Sequence, residues 1–199
     1  MCGLGRDVGG GQGPLTKKVP GRPPTEGTTK KQQIIVSGLG GQGALTVTRL
    51  LAEAAQAAGL EVITSETHGM AQRGGTVISM IKVGPFRGPL IPAGGADTGL
   101  FLHRQNLAVH HFYLKPGGAI FVNTSIPGDY FHLDAREVAA QLGLAPVAAN
   151  LILLGFAVGK GELFCGAELM EQVIIDKTPA RFRESNLRAF RAGVAAATA

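Results

Sequence analysis

Six residues, Gly38-Leu39-Gly40-Gly41-Gln42-Gly43, stand between an apolar β-branched run, Ile34-Ile35-Val36, and a stretch from Ala44 to Ala58 whose apolar residues recur at helical spacing. A strand, a glycine turn and a helix in that order point to an α/β protein built around this connection. A backbone wraps an anion closely only where no side chain intervenes, and the amides opening the following helix favour negative charge. Gly38, Gly40 and Gly43 match Gly-x-Gly-x-x-Gly, and Glu66 falls 23 residues after Gly43, near where a dinucleotide fold places its ribose-binding acid. The same glycines suit a tight strand-to-helix turn with close helix packing, so phosphate contact and plain connector both stay open on these residues alone.

The rest of the chain extends the alternation. Gln33 to Ser37 reads as the first strand, and Leu45, Leu50-Leu51 and Ala54-Ala55 set the helix that Gly59 ends. Glu61 to Ser65 and Thr76 to Val83 read as strands. The core face of the latter is Val77, Ser79, Ile81 and Val83, with Ile78 and Met80 joining if both faces are covered. Thr98 to Leu102 and Ala119 to Val122 are short apolar runs around a helical segment, as in parallel strands buried under helices. After Leu133 the pattern is helical: about 134–142, 148–159, 167–175 and 179–192. These elements predict a three-layer α/β/α, Rossmann-like domain with a mainly parallel sheet and a helical C-terminal region.

At 199 residues and 45% hydrophobic content, one sizeable core in one domain is expected. The formal charge of +5 is unevenly spread: residues 1–31 have a net charge of +4, residues 32–199 only +1. The folded part is nearly neutral, which argues against a nucleic-acid surface. Residues 1–31, with Gly9-Gly10-Gly11, Pro23-Pro24 and Lys30-Lys31, bury too little apolar surface to offset ordering entropy and are expected to form a flexible basic tail. They contain no apolar h-region of a secretory signal, and the apolar stretch near Leu151 to Val158 is too short to span a bilayer. Cys2 and Cys165 form no Cys-x-x-Cys pair, so this chain alone cannot supply the four thiolates of a usual iron–sulfur cluster. The absence of a disulfide framework fits a reducing, cytoplasmic compartment.

A second block, Glu66-Thr67-His68-Gly69-Met70-Ala71-Gln72-Arg73-Gly74-Gly75, is too rich in glycine and charge for a core and reads as a shaped surface loop. Together with the first glycine block it resembles the gamma domain of the 2-oxoacid:ferredoxin oxidoreductases, in particular the small subunit of those acting on indolepyruvate. The resemblance runs from about Gln32 to Gly193, through Pro89-Leu90-Ile91-Pro92, Ala96-Asp97, a turn at Tyr113-Leu114-Lys115-Pro116-Gly117-Gly118, the strand Phe121-Val122-Asn123-Thr124, Ala149-Asn150, Leu154-Gly155 and Asn186-Leu187-Arg188-Ala189-Phe190. It makes residues 32–199 a pyruvate/ketoisovalerate oxidoreductase gamma-type domain. His103-Arg104-Gln105 departs from it where relatives commonly place an acid, and Met80 where many have histidine.

The resemblance implies a subunit of an enzyme that oxidatively decarboxylates a 2-oxoacid to an acyl-coenzyme A and passes electrons to ferredoxin. It places thiamine diphosphate, magnesium and iron–sulfur clusters on a large partner subunit, with coenzyme A as co-substrate and no resident cofactor here. This sequence also lacks a Gly-Asp-Gly followed by Asn-Asn of the kind that holds thiamine diphosphate and magnesium. Candidate contacts to coenzyme A, to substrate or to a facing subunit are Gly38, Gly40, Gly41, Gln42, Gly43, Glu66, His68, Gly69, Gln72, Arg73 and Gly74; no catalytic residue or metal ligand is assigned. Glu66 also suits a cap or a pair with Arg73, and Gln42 plain loop support. His110 and His111, adjacent on a helix, point about 100° apart and do not share a metal. Cys165 reads as a small buried hydrophobe, Asp97 as a strand-entry residue and Asn150 as a buried anchor or interface contact. A stand-alone NAD(P)-binding oxidoreductase and a non-catalytic assembly protein are the alternatives.

Overall fold

The computed structural model describes residues 31–68 and 75–198, with Thr67 and His68 in backbone only. The expectation for the N-terminal tail, and those for Gly69, Gln72, Arg73 and Gly74, lie outside the described residues. Strands β1 (Gln32–Leu39), β2 (Val62–His68), β3 (Thr76–Val83), β4 (Ala96–Phe101), β5 (Leu114–Asn123) and β6 (Phe131–Leu133) form one sheet in the order β2-β3-β1-β4-β5-β6. β1, β4, β5 and β6 are parallel neighbours, while β3 runs antiparallel to both β1 and β2. The sheet is therefore mainly parallel in direction, with β3 as its one reversed strand.

Helix α1 (Ala44–Ala57) buries Val47, Leu50, Leu51, Ala54 and Ala55 on the sheet. It ends where Gly59 takes φ 72° and Leu60 N returns to Ala55 O. The alternation of β1 splits the core in two. Ile34 and Val36 join Ile81, Val83, Leu100 and Phe121 beneath α1, α3 (Ala135–Gln141), α4 (Ala149–Gly159), α5 (Ala167–Lys177) and α6 (Ala180–Thr198). Ile35 joins Ile78, Met80, Phe101 and Val122 on the reverse face. That face is covered only by α2 (Arg104–His110), the 3-10 turn at His111–Tyr113 and the segment carrying Ile91. The three layers expected from the alternation are present, but unequal. The C-terminal helices stack on one side, where α4 is buried on nearly its whole circumference. Its contact with α6 is close enough that a Cβ on Gly155 or Gly193 would fall well inside van der Waals distance of the facing helix's backbone.

Three local expectations change. β2 runs on to His68, so Glu66, Thr67 and His68 belong to a strand and not to the loop. Lys115-Pro116-Gly117-Gly118, expected as a turn, lies within β5. Pairing there jumps from Ala96↔Leu114 to Thr98↔Ala119, and Gly117 at φ 75° supports the bulge. β6 was not anticipated, since three residues carry too little periodicity to register. Among the described residues no helix is long and apolar enough to cross a membrane.

Candidate functional site at the strand switch point

From β1 the chain crosses through α1, on the larger core, to β2 on one side of the sheet; from β4 it crosses through α2, on the opposite face, to β5 on the other side. The order therefore reverses between β1 and β4, and a crevice opens outside their C-terminal ends, where open α/β sheets bind ligands. Gly41 and Gln42 after β1, Leu102 after β4, Asn123 ending β5 and Asn150 of α4 line a cavity of about 210 Å³ there. A second cavity of about 220 Å³ adjoins it through Leu102, Asn123 and Arg136, and adds His103, Arg104 and Ser125.

The glycine loop that rims this cleft is partly closed on itself. Leu39 N donates to Gln42 Oε1 at 2.7 Å and Gln42 N to Leu39 O at 3.1 Å. Gln42 Oε1 is thus engaged in loop support, and a side chain at Gly38 would crowd it, since a Cβ would meet that oxygen at 3.1 Å and Leu102 at 3.2 Å. Gly43 caps α1 from the left-handed region, at φ 79°. Its carbonyl accepts from Thr46 N, Val47 N and Asn150 Nδ2, the last at 3.3 Å, and a Cβ there would collide with the Asn150 amide. Gly41 has φ 88°, and among the described residues a Cβ there would meet nothing within 4 Å. Among the described residues the amides of Gly41 and Gly43 have no hydrogen-bond acceptor, and Gly41 lines the cleft.

Gly40 N donates to Gly75 O at 3.0 Å, so the two glycine-rich blocks of the sequence meet at that bond. The strand order disposes differently of Glu66. Its register partner is Ser79, whose own partner is Val36, so two strand spacings, roughly 10 Å, separate it from β1. A ribose-binding acid needs its strand beside β1, and β3 occupies that place. Glu66 is instead an exposed residue on an edge strand. The backbone of His68 is level with Gly38 through Val77.

Two contributors were not singled out from sequence. Asn123 links three elements, donating to Leu102 O at 3.2 Å and accepting from Ala135 N at 2.9 Å. Arg136 lies in the first turn of α3, whose start is set by Asp134 accepting from Glu137 N at 3.0 Å. Asp134-x-x-Glu137 is a readable helix-start signal, yet nothing local reveals that this turn faces the cleft. Among the described residues neither Arg136 nor Arg104 forms an ion pair, and the cleft lining sets these two guanidiniums against one carboxylate, Asp134, which caps α3.

Beneath the loop, Ser37 Oγ, fully buried, lies 2.8 Å from His110 Nδ1 and accepts from Asn106 Nδ2 at 3.0 Å. This cluster fixes α2 against β1 just before Gly38, and burial lowers the His110 pKa below 6.5. His111 starts the next turn, and among the described residues no group of three His, Cys, Asp or Glu is placed to hold a metal. Cys165 is buried. Asp97 accepts from Gln33 N at 2.7 Å and pairs with Lys115 at the opposite end of the sheet from the cleft.

The family model described as pyruvate ferredoxin/flavodoxin oxidoreductase matches residues 33–196. The chain is 34% identical over 186 residues to the indolepyruvate oxidoreductase subunit IorB of Archaeoglobus fulgidus, spanning 80% of this chain and 92% of that one. The gamma subunit of a keto/oxoacid ferredoxin oxidoreductase from Geobacter sulfurreducens PCA has the same fold at 27% identity, with a TM-score of 0.68 over 84% of this chain and 98% of that chain. A 2-oxoglutarate:ferredoxin oxidoreductase from Magnetococcus marinus, solved with 2-oxoglutarate, coenzyme A and succinyl-CoA bound, shares the fold alone. Its TM-score is 0.70 at 22% identity, over 86% of this chain and 32% of the other. With its strand switch point, its paired glycine blocks and a family match over nearly the whole described domain, this chain belongs to the pyruvate ferredoxin/flavodoxin oxidoreductase family.

Proposed function

We propose that this chain is the small subunit of a cytoplasmic 2-oxoacid:ferredoxin oxidoreductase acting on an arylpyruvate such as indolepyruvate, and that its cleft receives a phosphate-bearing part of coenzyme A. The observation that carries the reading is the crevice at the switch point of a domain belonging to this family, with the Arg104 and Arg136 guanidiniums in its lining. The Gly41 and Gly43 amides, which have no acceptor among the described residues, the dipole of α1 and the Arg136 and Arg104 guanidiniums against the single carboxylate of Asp134 suit an anion, while Asn123 and Asn150 hold the walls in place. Decarboxylation and electron transfer to ferredoxin belong to thiamine diphosphate, magnesium and iron–sulfur clusters on a larger partner, since two cysteines cannot ligate a four-cysteine cluster. The residues of this chain orient the thiol donor and complete the wall of the reaction chamber. Gly69, Gln72, Arg73 and Gly74, which lie outside the described residues, stay candidate contacts in this reading.

The test is co-expression with the large subunit of the same organism, followed by ferredoxin reduction with a panel of 2-oxoacids. Arg136→Ala is expected to raise the KM for coenzyme A roughly ten- to a hundredfold, the weight of a charge-assisted hydrogen bond of about 1.5–3 kcal/mol, with KM for the 2-oxoacid little changed. Turnover by the isolated small chain would defeat the subunit reading. An unchanged KM for coenzyme A in the Arg136 variant would remove that ligand from the cleft. Micromolar binding of NAD or NADP would instead favour a stand-alone dehydrogenase.

A further inference from the structure

Of the eight exposed large hydrophobic residues among those described, three gather on one groove: Leu45, Val147 and Phe182, which are 42%, 51% and 47% exposed. The groove, about 550 Å³, runs between the first turns of α1, the 3-10 turn at Pro146–Ala148 and the junction of α5 with α6, over a floor that includes Leu50 and Leu151. Scattered single apolar residues on a surface need no explanation, but convergence around a concavity is the arrangement of a protein docking site.

The rim has one sign of charge. Arg49 lines the groove and, among the described residues, donates only to the Lys177 carbonyl, at 3.3 Å. Lys177 itself is neutralised by Glu53 at 2.9 Å. The Arg181 guanidinium stacks over the Phe182 ring at 4.6 Å, and among the described residues neither Arg49 nor Arg181 meets a carboxylate. The groove is also continuous with the switch-point cleft, because Val147 and Asn150 line both.

We infer that this groove is the seat of an acidic, amphipathic segment of the large partner subunit, which inserts apolar side chains between Leu45, Val147 and Phe182 and sets its carboxylates against Arg49 and Arg181. The inference rests on the subunit reading above and adds where the partner sits. A partner held there borders the cleft through the Pro146–Ala148 turn, so assembly would complete the cleft wall at that turn.

Native mass spectrometry and titration of the small chain against the large subunit test this. Leu45→Glu and Phe182→Glu are each expected to weaken the complex at least tenfold, since a carboxylate then occupies an apolar contact and meets the partner's acids. Arg49→Glu is expected to weaken it also and to flatten the salt dependence of association. All three positions are exposed, so each isolated variant should keep its Tm within about 2 °C of wild type. Variants that bind the large subunit with wild-type affinity overturn the inference while leaving the subunit reading intact. Self-association of the isolated chain that Phe182→Glu dissolves overturns it in favour of a second copy. A wild-type chain that never binds the large subunit removes the subunit reading and this inference together.

Discussion

Replacing Gly43 by alanine is expected to be among the most costly single-methyl additions in this protein, and the structure divides the cost into parts. The residue sits at φ 79°, where an L side chain is strained by about 1–2 kcal/mol. The new Cβ also collides with the Asn150 amide, which is 5% exposed and packed at the start of α4. Relief requires Asn150 to swing away and give up its bond to the Gly43 carbonyl, about 1 kcal/mol, with overpacking adding roughly 1–2 kcal/mol. The total is about 3–5 kcal/mol, or a fall in Tm of roughly 6–20 °C for a domain of this size. Gly41→Ala is the internal control, because Gly41 has a similar φ of 88° but a Cβ there would meet nothing within 4 Å among the described residues. It should show the backbone strain alone. Urea denaturation followed by far-UV circular dichroism measures both, together with Asn150→Ala and the double variant. Once Asn150 is shortened the collision disappears and the shared hydrogen bond is lost only once, so the double variant should be about 2–3 kcal/mol more stable than the sum of the single effects predicts. A Gly43→Ala cost no greater than that of Gly41→Ala, or strict additivity in the cycle, would refute the reasoning.

Other expectations follow from the packing. Gly193→Ala would press a methyl against the Ile152 carbonyl and force α4 and α6 apart, costing about 2–4 kcal/mol; an unshifted urea midpoint would show that the helices can separate freely. Ser79 has a buried hydroxyl with no hydrogen-bond partner among the described residues, so Ser79→Ala should be neutral or stabilising by up to about 1 kcal/mol, and a clear loss of Tm would mean the hydroxyl is satisfied. Burial holds the folded-state pKa of His110 below its unfolded value of 6.5. The unfolded chain therefore binds a proton first as pH falls. Stability should be full above 6.5 and decline as pH drops from there through the folded pKa, and His110→Gln should flatten that slope in pH-dependent melts.

Much of this protein is legible along the chain because much of it is locally determined. The β-branched run before Gly38, the helical spacing from Leu45 to Ala55 and the alternation from Thr76 to Val83 each define an element whose period is a property of consecutive residues. The two glycine blocks were joined by their resemblance to one family, and the Gly40 N to Gly75 O bond shows them meeting. What no local pattern contained was the order of the strands. That β3 inserts between β1 and β2 is decided by long-range pairing, and it alone sets Glu66 two strands away from β1 and the glycine loop that follows it. Asn123 and Arg136 became cleft residues only when β5 and α3 were brought beside the end of β4, because a polar residue ending a strand or opening a helix looks the same wherever that end points. The unequal layers, the collision of Gly43 with Asn150 107 positions away and the groove shared by Leu45, Val147 and Phe182 have the same origin. Periodicity states which face of an element is apolar, and only tertiary packing decides what, if anything, covers it.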